Sequence, residues 1–94
     1  MRSSERCVQV RIRGRVQGVG YRYFAREQAV LLGLRGHVRN MPDGSVEVVA
    51  QGPATALASF LEQLRQGPAA GYVDSCEVSE WERDLPDEDF RIRF

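Results

Sequence analysis

Apolar residues recur along this chain with two different spacings, and each spacing predicts a different kind of element. Alternation of apolar and polar residues, as in Val8, Val10 and Ile12 of the first segment, is typical of a β-strand with one buried face. Five segments are predicted to be strands. They cover residues 7–13, 35–40, 45–51, 72–81 and 90–94.

Two other segments repeat their apolar residues at the 3.6-residue period of a helix. The first begins near residue 22, and Gly33 is placed to end it because glycine readily adopts the left-handed conformation there. The second begins at Gly52-Pro53 and stops at Gly67-Pro68. The predicted apolar faces are Tyr21, Phe24, Ala25, Ala29 and Leu32 in the first helix and Leu57, Phe60, Leu61 and Leu64 in the second.

The elements therefore follow the order βαββαβ, with a short extra strand pairing near the end. A tight turn at 41–44 joins the two middle strands into a hairpin. This order predicts an α+β fold of the ferredoxin-like, split β-α-β type, in which an antiparallel sheet carries two helices on one face. Residues 1–94 suffice for a single domain of this kind and are too few for two.

Charge is balanced over the whole chain but not along it. The 13 basic and 13 acidic residues cancel, which argues against nucleic-acid binding. The first 39 residues hold nine of the arginines and only two acids, so this half should attract small anions. All the basic residues are arginine, which excludes a lysine nucleophile.

No segment points to a membrane or to an oxidising compartment. No apolar run approaches the length of a membrane span, and the first residues lack the hydrophobic core of a signal peptide. Cys7 and Cys76 are far apart and lack metal-binding spacing. We therefore expect a cytoplasmic monomer without a metal or another cofactor.

The connection between the first strand and the first helix carries the strongest chemical signal. Gly14, Gly18 and Gly20 allow the backbone to turn its N–H groups toward one anion, and the following helix adds its unpaired N-terminal donors. The spacing matches neither a nucleotide-binding P-loop nor a dinucleotide fingerprint. The sequence thus predicts an oxyanion-binding loop, called here the oxyanion loop. It comprises Arg15, Val16, Gln17, Gly18, Val19, Gly20 and Tyr21.

Arg22 and Asn40 are the side chains expected to serve this loop. Arg22 lies at the helix start directly behind the loop, and its planar guanidinium fits two phosphate oxygens. Arg11 and Arg13 fall on the outward face of their strand, where solvated arginines are common. By strand parity Asn40 shares the inward face with Val38, so its amide could hold a water molecule, and a plain turn asparagine is an equal alternative.

The other ionisable residues do not form a catalytic set. By the same parity His37 points to the opposite face of the sheet, where we expect an exposed or partly packed side chain. The chain holds no second histidine, so histidine-based nucleophilic schemes lack their residues. The acidic run 84–89 is most simply a solvated loop, since it lacks the ligand spacing of a calcium site.

Two stretches carry a family resemblance. Gly-x-Val-Gln-Gly-Val-x-x-Arg at residues 14–22 resembles the signature of the acylphosphatase family, and residues 36–46 resemble its second motif. The resemblance implies a metal-free hydrolase of acyl phosphates that yields a carboxylate and inorganic phosphate. It also implies that Arg22 and the loop amides bind the phosphoryl group and that Asn40 orients the attacking water. Tyr21 and His37 stand where the family usually has other residues.

Two further interpretations stay open. One is a non-catalytic phosphate- or nucleic-acid-binding module of the same fold, although the central strand 7–13 offers no outward aromatic residue on which bases could stack. The other is a relative of the acylphosphatase-like domain of hydrogenase maturation proteins, which belongs to a much larger chain. An assay of acyl phosphate hydrolysis separates these interpretations.

Overall fold

Two helices cover one face of a five-stranded sheet in the computed structural model, which describes residues 5–83 and 85–94. The sheet order is β4-β1-β3-β2-β5. The strands are β1 (Glu5–Arg15), β2 (Arg35–Asn40), β3 (Val46–Pro53), β4 (Tyr72–Glu80) and β5 (Phe90–Arg93), and the helices are α1 (Tyr21–Leu31) and α2 (Ala54–Gln66). The predicted ferredoxin-like α+β fold is confirmed.

One edge of the sheet differs from the prediction. The pairs β1–β3, β1–β4 and β2–β3 are antiparallel, but β5 runs parallel to β2, so the sheet is mixed. The chain leaves β4 at one edge and must cross to the opposite edge before β5 begins. β4 ends beside Cys7, at the same end of the sheet where β2 begins, so a strand that starts from this end runs parallel to β2.

The core lies between the sheet and the two helices. Alternate residues of the central strands, among them Val10, Ile12 and Val48, are fully buried and pack with Ala29 of α1 and Leu64 of α2. Apolar burial of this kind contributes about 25 cal/mol per Å² of covered surface. It fixes both helices on one face and so fixes the start of α1 against the ends of β1 and β2.

β1 is two residues longer at its end than predicted, because a bulge carries it past residue 13. The register with β4 shifts between Arg13 and Gly14, and Gly14 has a φ of 134°. A Cβ at Gly14 would lie 2.2 Å from the carbonyl oxygen of Tyr72. Only glycine therefore allows β1 and β4 to approach at the point where the oxyanion loop begins.

Candidate active site

A pocket of about 190 Å³ lies where the oxyanion loop meets the beginning of α1. Two of its lining residues, Arg22 and Asn40, come from different elements, α1 and β2. The complete lining is Val16, Gly18, Gly20, Tyr21, Arg22, Tyr23 and Asn40. The structure therefore brings both predicted site side chains to one cavity, together with four of the predicted loop residues.

Two glycines shape the oxyanion loop. Gly18 and Gly20 have φ values of 75° and 80°, in the left-handed region that favours glycine. A Cβ added at either position would meet no atom within 4 Å, so the backbone conformation and not close packing requires them. Among the described residues, no backbone N–H of residues 16–20 donates to a backbone carbonyl. The donors of Val16, Gly18 and Gly20, which line the pocket, are therefore available to an anion.

The beginning of α1 adds further donors. The Gly20 carbonyl accepts a hydrogen bond from the N–H of Phe24 at 3.0 Å, the first bond of the helix. No side chain caps this end, and the first turn contains no acidic residue. The unpaired N–H groups and the positive end of the helix dipole therefore stay available to a negatively charged ligand.

Arg22 brings a positive charge that no carboxylate of the described chain neutralises. Its guanidinium carbon lies 4.7 Å from the centre of the Phe94 ring, a cation–π contact. In contrast, Arg39 Nε donates to Glu47 at 2.8 Å, and Arg13 donates to Asp43 at 3.2 Å. The charge of Arg22 is thus free for an anion in the pocket.

Asn40 faces the pocket from the end of β2. It shares the inward face with the fully buried Val38, as strand parity predicts. Its side-chain oxygen, Oδ1, is buried and accepts no hydrogen bond from any described residue. Leaving a buried acceptor unpaired costs about 1–3 kcal/mol. A plain turn asparagine does not account for this unpaired oxygen.

The remaining loop residues differ in what they can offer a ligand. The side chains of Val16 and Tyr21 are buried in the core, and the Tyr21 hydroxyl donates at 2.7 Å to a carbonyl of α2. Burial raises the pKa of Tyr21 well above its usual range. These two residues can therefore supply backbone groups alone. Arg15, Gln17 and Val19 do not line the pocket.

Tyr23 lines the pocket and was not predicted. It follows Arg22 in the first turn of α1 and is 66% exposed. The available signal in the sequence was an aromatic residue that directly follows the candidate anion ligand and is not part of the predicted apolar face.

The expectation that His37 is exposed or only partly packed was wrong. Its direction away from Asn40 is as predicted, but it is buried, and its Nδ1 lies 3.0 Å from Oδ2 of Asp87. Asp87 also accepts from Arg93 at 3.0 Å. These three residues are called here the outer-face cluster. They lie on the face of the sheet opposite the pocket.

The prediction of a solvated acidic loop was also wrong at one residue. Asp87 is buried, whereas Glu88 and Asp89 are exposed and Asp84 lies outside the described residues. Burial raises the pKa of Asp87, but the hydrogen bonds from His37 and Arg93 outweigh it, so its pKa is below the usual value. The carboxylate is therefore held in its charged form.

A larger cavity of about 360 Å³ lies on the outer face, between β1 and β4. Its arginines, Arg11 and Arg13, face the carboxylates of Asp43 and Glu77. The arginines of this cavity are therefore ion-paired, unlike Arg22 in the smaller pocket.

Within residues 5–83 and 85–94, no group of three or more His, Cys, Asp or Glu side chains is placed to hold a metal ion. In the same part of the chain, none of the helices has the length and apolar character needed to cross a membrane.

Known proteins resemble the chain over nearly its whole length. The family model described as acylphosphatase matches residues 8–92. A curated acylphosphatase of Mesorhizobium japonicum is 49% identical over 92 residues, which are 98% of each chain. The crystal structure of acylphosphatase from Bacillus subtilis has a TM-score of 0.88 at 38% identity, over 94% of this chain and 98% of that one. Full-length HypF matches at 25% identity and a TM-score of 0.86, over all of this chain and 12% of HypF.

Proposed function

This chain belongs to the acylphosphatase family and hydrolyses acyl phosphates, and we propose that the pocket of Arg22 and Asn40 is where it does so. One observation carries the proposal. A free arginine, an unpaired amide oxygen and the glycines of the oxyanion loop converge on a single cavity. Among the described residues, none provides the arginine, the amide oxygen or the N–H groups of these glycines with a hydrogen-bond or ion-pair partner. A bound phosphate or water molecule would provide one.

In the proposed mechanism, the oxyanion loop and Arg22 hold the phosphoryl group. The N–H groups of the loop residues that line the pocket and of the first turn of α1 donate to its oxygens, and the guanidinium adds a charge-assisted contact. Charge on the phosphoryl oxygens is neutralised by groups that are already in position. Such preorganised donors are worth about 3–4 kcal/mol each in a transition state.

Asn40 orients the water that attacks phosphorus. Oδ1 accepts a hydrogen bond from that water, whose oxygen forms a bond to phosphorus while the bond from phosphorus to the acyl oxygen breaks. The carboxylate leaves with the bonding electrons, and the proton of the water passes to a phosphate oxygen. Because a carboxylate is a good leaving group, this step needs a placed water and charge neutralisation more than a strong base.

Other expectations about the chain stay proposals. We propose one domain over residues 1–94 that acts as a cytoplasmic monomer without a cofactor. Acidic residues of the edge strand β4, such as Glu77 and Glu80, disfavour pairing with a second sheet and support the monomer. Free thiols at Cys7 and Cys76 are typical of a reducing compartment.

A nucleic-acid-binding module is the less favoured alternative. The net charge is zero, and the central strands β1 and β3 contain no aromatic residue on which bases could stack. We therefore propose no nucleic-acid partner.

Steady-state hydrolysis of benzoyl phosphate, with inorganic phosphate as inhibitor, tests the proposal. We expect turnover and competitive inhibition, because the pocket recognises the phosphoryl group that substrate and product share. Arg26→Ala is a control, since Arg26 is exposed one turn further along α1 and does not line the pocket. Noncompetitive inhibition would place the phosphate site elsewhere.

A further inference from the structure

The two halves of the pocket belong to separate parts of the fold. The oxyanion loop precedes α1, whereas Asn40 ends β2 and is followed by the turn 41–44. Attack on phosphorus depends on the distance between the bound phosphoryl group and the water on Asn40. A misplacement of about 1 Å can cost a hundredfold in rate. Some contact must therefore hold the loop and the turn in a fixed relation.

Gln17 makes that contact. Its Nε2 donates to two backbone carbonyls, those of Met41 and Ser45, each at 2.9 Å. The same two residues close the turn, because the N–H of Met41 donates to the carbonyl of Ser45 at 2.8 Å. Gln17 thus hydrogen-bonds to both ends of the turn that begins directly after Asn40.

No other hydrogen bond between described residues joins residues 16–20 to residues 40–45. Arg13 and Arg11 also reach the turn, through Asp43, but they do so from β1 and on the outer face. The side chain of Gln17 is half-buried and does not line the pocket. It is therefore placed to link the two halves without touching the phosphate.

We propose that Gln17 is a positioning residue that fixes the water on Asn40 relative to the phosphoryl group in the oxyanion loop. The inference rests on the proposed function of Asn40. The chemistry requires an amide at this position, because one –NH₂ group offers two donors and both carbonyls need one. A glutamate of the same length cannot donate when ionised.

A double-mutant cycle with Asn40 tests this role. Purified wild type, Gln17→Ala, Asn40→Ala and the double variant are compared for kcat on benzoyl phosphate and for inhibition by inorganic phosphate. We expect Gln17→Ala to lower kcat by about tenfold, with phosphate inhibition changed less than about twofold, because the misplaced group is the water. In the Asn40→Ala background the same change should lower kcat by less than about twofold, since no positioned water is left to lose.

Three further variants make the result specific. Gln17→Glu should behave like Gln17→Ala, and Gln17→Met keeps the length without donors if the alanine variant does not fold. Gln9→Ala is the matched control, because Gln9 is a half-buried glutamine that hydrogen-bonds Glu47 on the outer face. It should leave kcat unchanged, and thermal melts of all variants show which of them are folded.

The outcomes that contradict the inference are distinct. An equal fall of kcat in both backgrounds shows that Gln17 acts independently of Asn40. A matching loss of phosphate inhibition makes Gln17 a phosphate ligand and not a positioning residue. Wild-type kcat in Asn40→Ala overturns the proposed role of Asn40, and the role of Gln17 with it.

Discussion

The two faces of the sheet differ in whether their polar groups have partners. On the helix face, Asn40 Oδ1 is buried without a partner among the described residues, and the guanidinium of Arg22 packs on the Phe94 ring without an ion pair to any of those residues. On the outer face, His37 and Asp87 are buried and hydrogen-bonded to each other, and Arg93 adds a second donor to the carboxylate. The polar groups at the pocket lack partners that a ligand could provide, whereas the residues of the outer-face cluster are partners for one another.

This difference separates a binding site from a structural network. Burying a charge is costly unless it is paired, so the outer-face cluster is stable only because each charged group in it has a partner. Two other buried atoms, Arg11 Nε and Trp81 Nε1, also lack partners within the part of the chain that the structure describes. Neither lines the pocket, so an unpaired atom identifies a site only together with a cavity and convergent donors.

Of the substitutions on the two faces, removal of the Arg22 side chain should reduce activity most. Arg22→Ala should lower kcat/KM for benzoyl phosphate by about a thousandfold, since the guanidinium stabilises phosphoryl charge in ground and transition states. KM should rise and kcat should fall together. The melting temperature should stay close to that of wild type because Arg22 is not in the core. Retained activity would leave the helix N-terminus as the main source of positive charge.

Asn40→Ala should have the next largest effect, on kcat alone. We expect a fall of about a hundredfold, because only the placement of water is lost, while inhibition by phosphate is unchanged. Gln51→Ala is a suitable control, since Gln51 is a half-buried amide on β3 that binds Arg35 outside the pocket. Normal turnover of a folded Asn40→Ala protein would make Asn40 a turn residue.

The outer-face cluster should respond in stability and not in catalysis. Asp87→Asn should lower the free energy of unfolding at neutral pH by about 2 kcal/mol, because the hydrogen bonds from His37 and Arg93 lose their charged acceptor. The value of kcat/KM should change less than about twofold, given that the cluster is on the other face. Denaturant unfolding and kinetics on the same samples measure both quantities. As a control, Asp89→Asn removes an exposed pair with Arg91 and should leave the free energy of unfolding nearly unchanged.

The contribution of the outer-face cluster to stability should also depend on pH. The pKa of Asp87 is lowered in the folded state, so its contribution is present above the unfolded value of about 4 and is lost as pH falls through the folded value. Asp87→Asn should therefore flatten the decline of stability as the pH falls below the unfolded value of about 4. An unchanged decline would assign the acid sensitivity to other carboxylates, such as Glu47, whose pKa is also lowered, by Arg39 and Gln9 against its burial.

The smallest expected effect is none at all. Hydrolysis should proceed at the same rate in the presence of a chelator, because the proposed positive charge comes from Arg22 and backbone N–H groups. The rate of benzoyl phosphate hydrolysis before and after dialysis against EDTA measures this. Activity that disappears and returns with magnesium would contradict the mechanism.

The sequence by itself determined the features that depend on neighbouring residues. Helical and strand periods gave the order of the elements. The turn at 41–44 is closed by a hydrogen bond from the N–H of Gly44 to the carbonyl of Met41, and Gly33 ends α1 with a φ of 71°. Strand parity also gave the inward direction of Asn40. These results follow from local backbone preferences, which a few adjacent residues decide.

Only the tertiary structure decided the contacts between distant segments. His37 and Asp87 are 50 residues apart, and Gln17 and Ser45 are 28 apart, so neither pair leaves a periodic signal. The alternation in residues 90–94 predicted a strand but not its direction, because a parallel and an antiparallel strand bury the same alternate residues. The path of the chain from β4 across to β5 set that direction and brought Asp87 over His37. The buried charge network joins residues that are far apart in the sequence, so a pattern of neighbouring residues does not predict it.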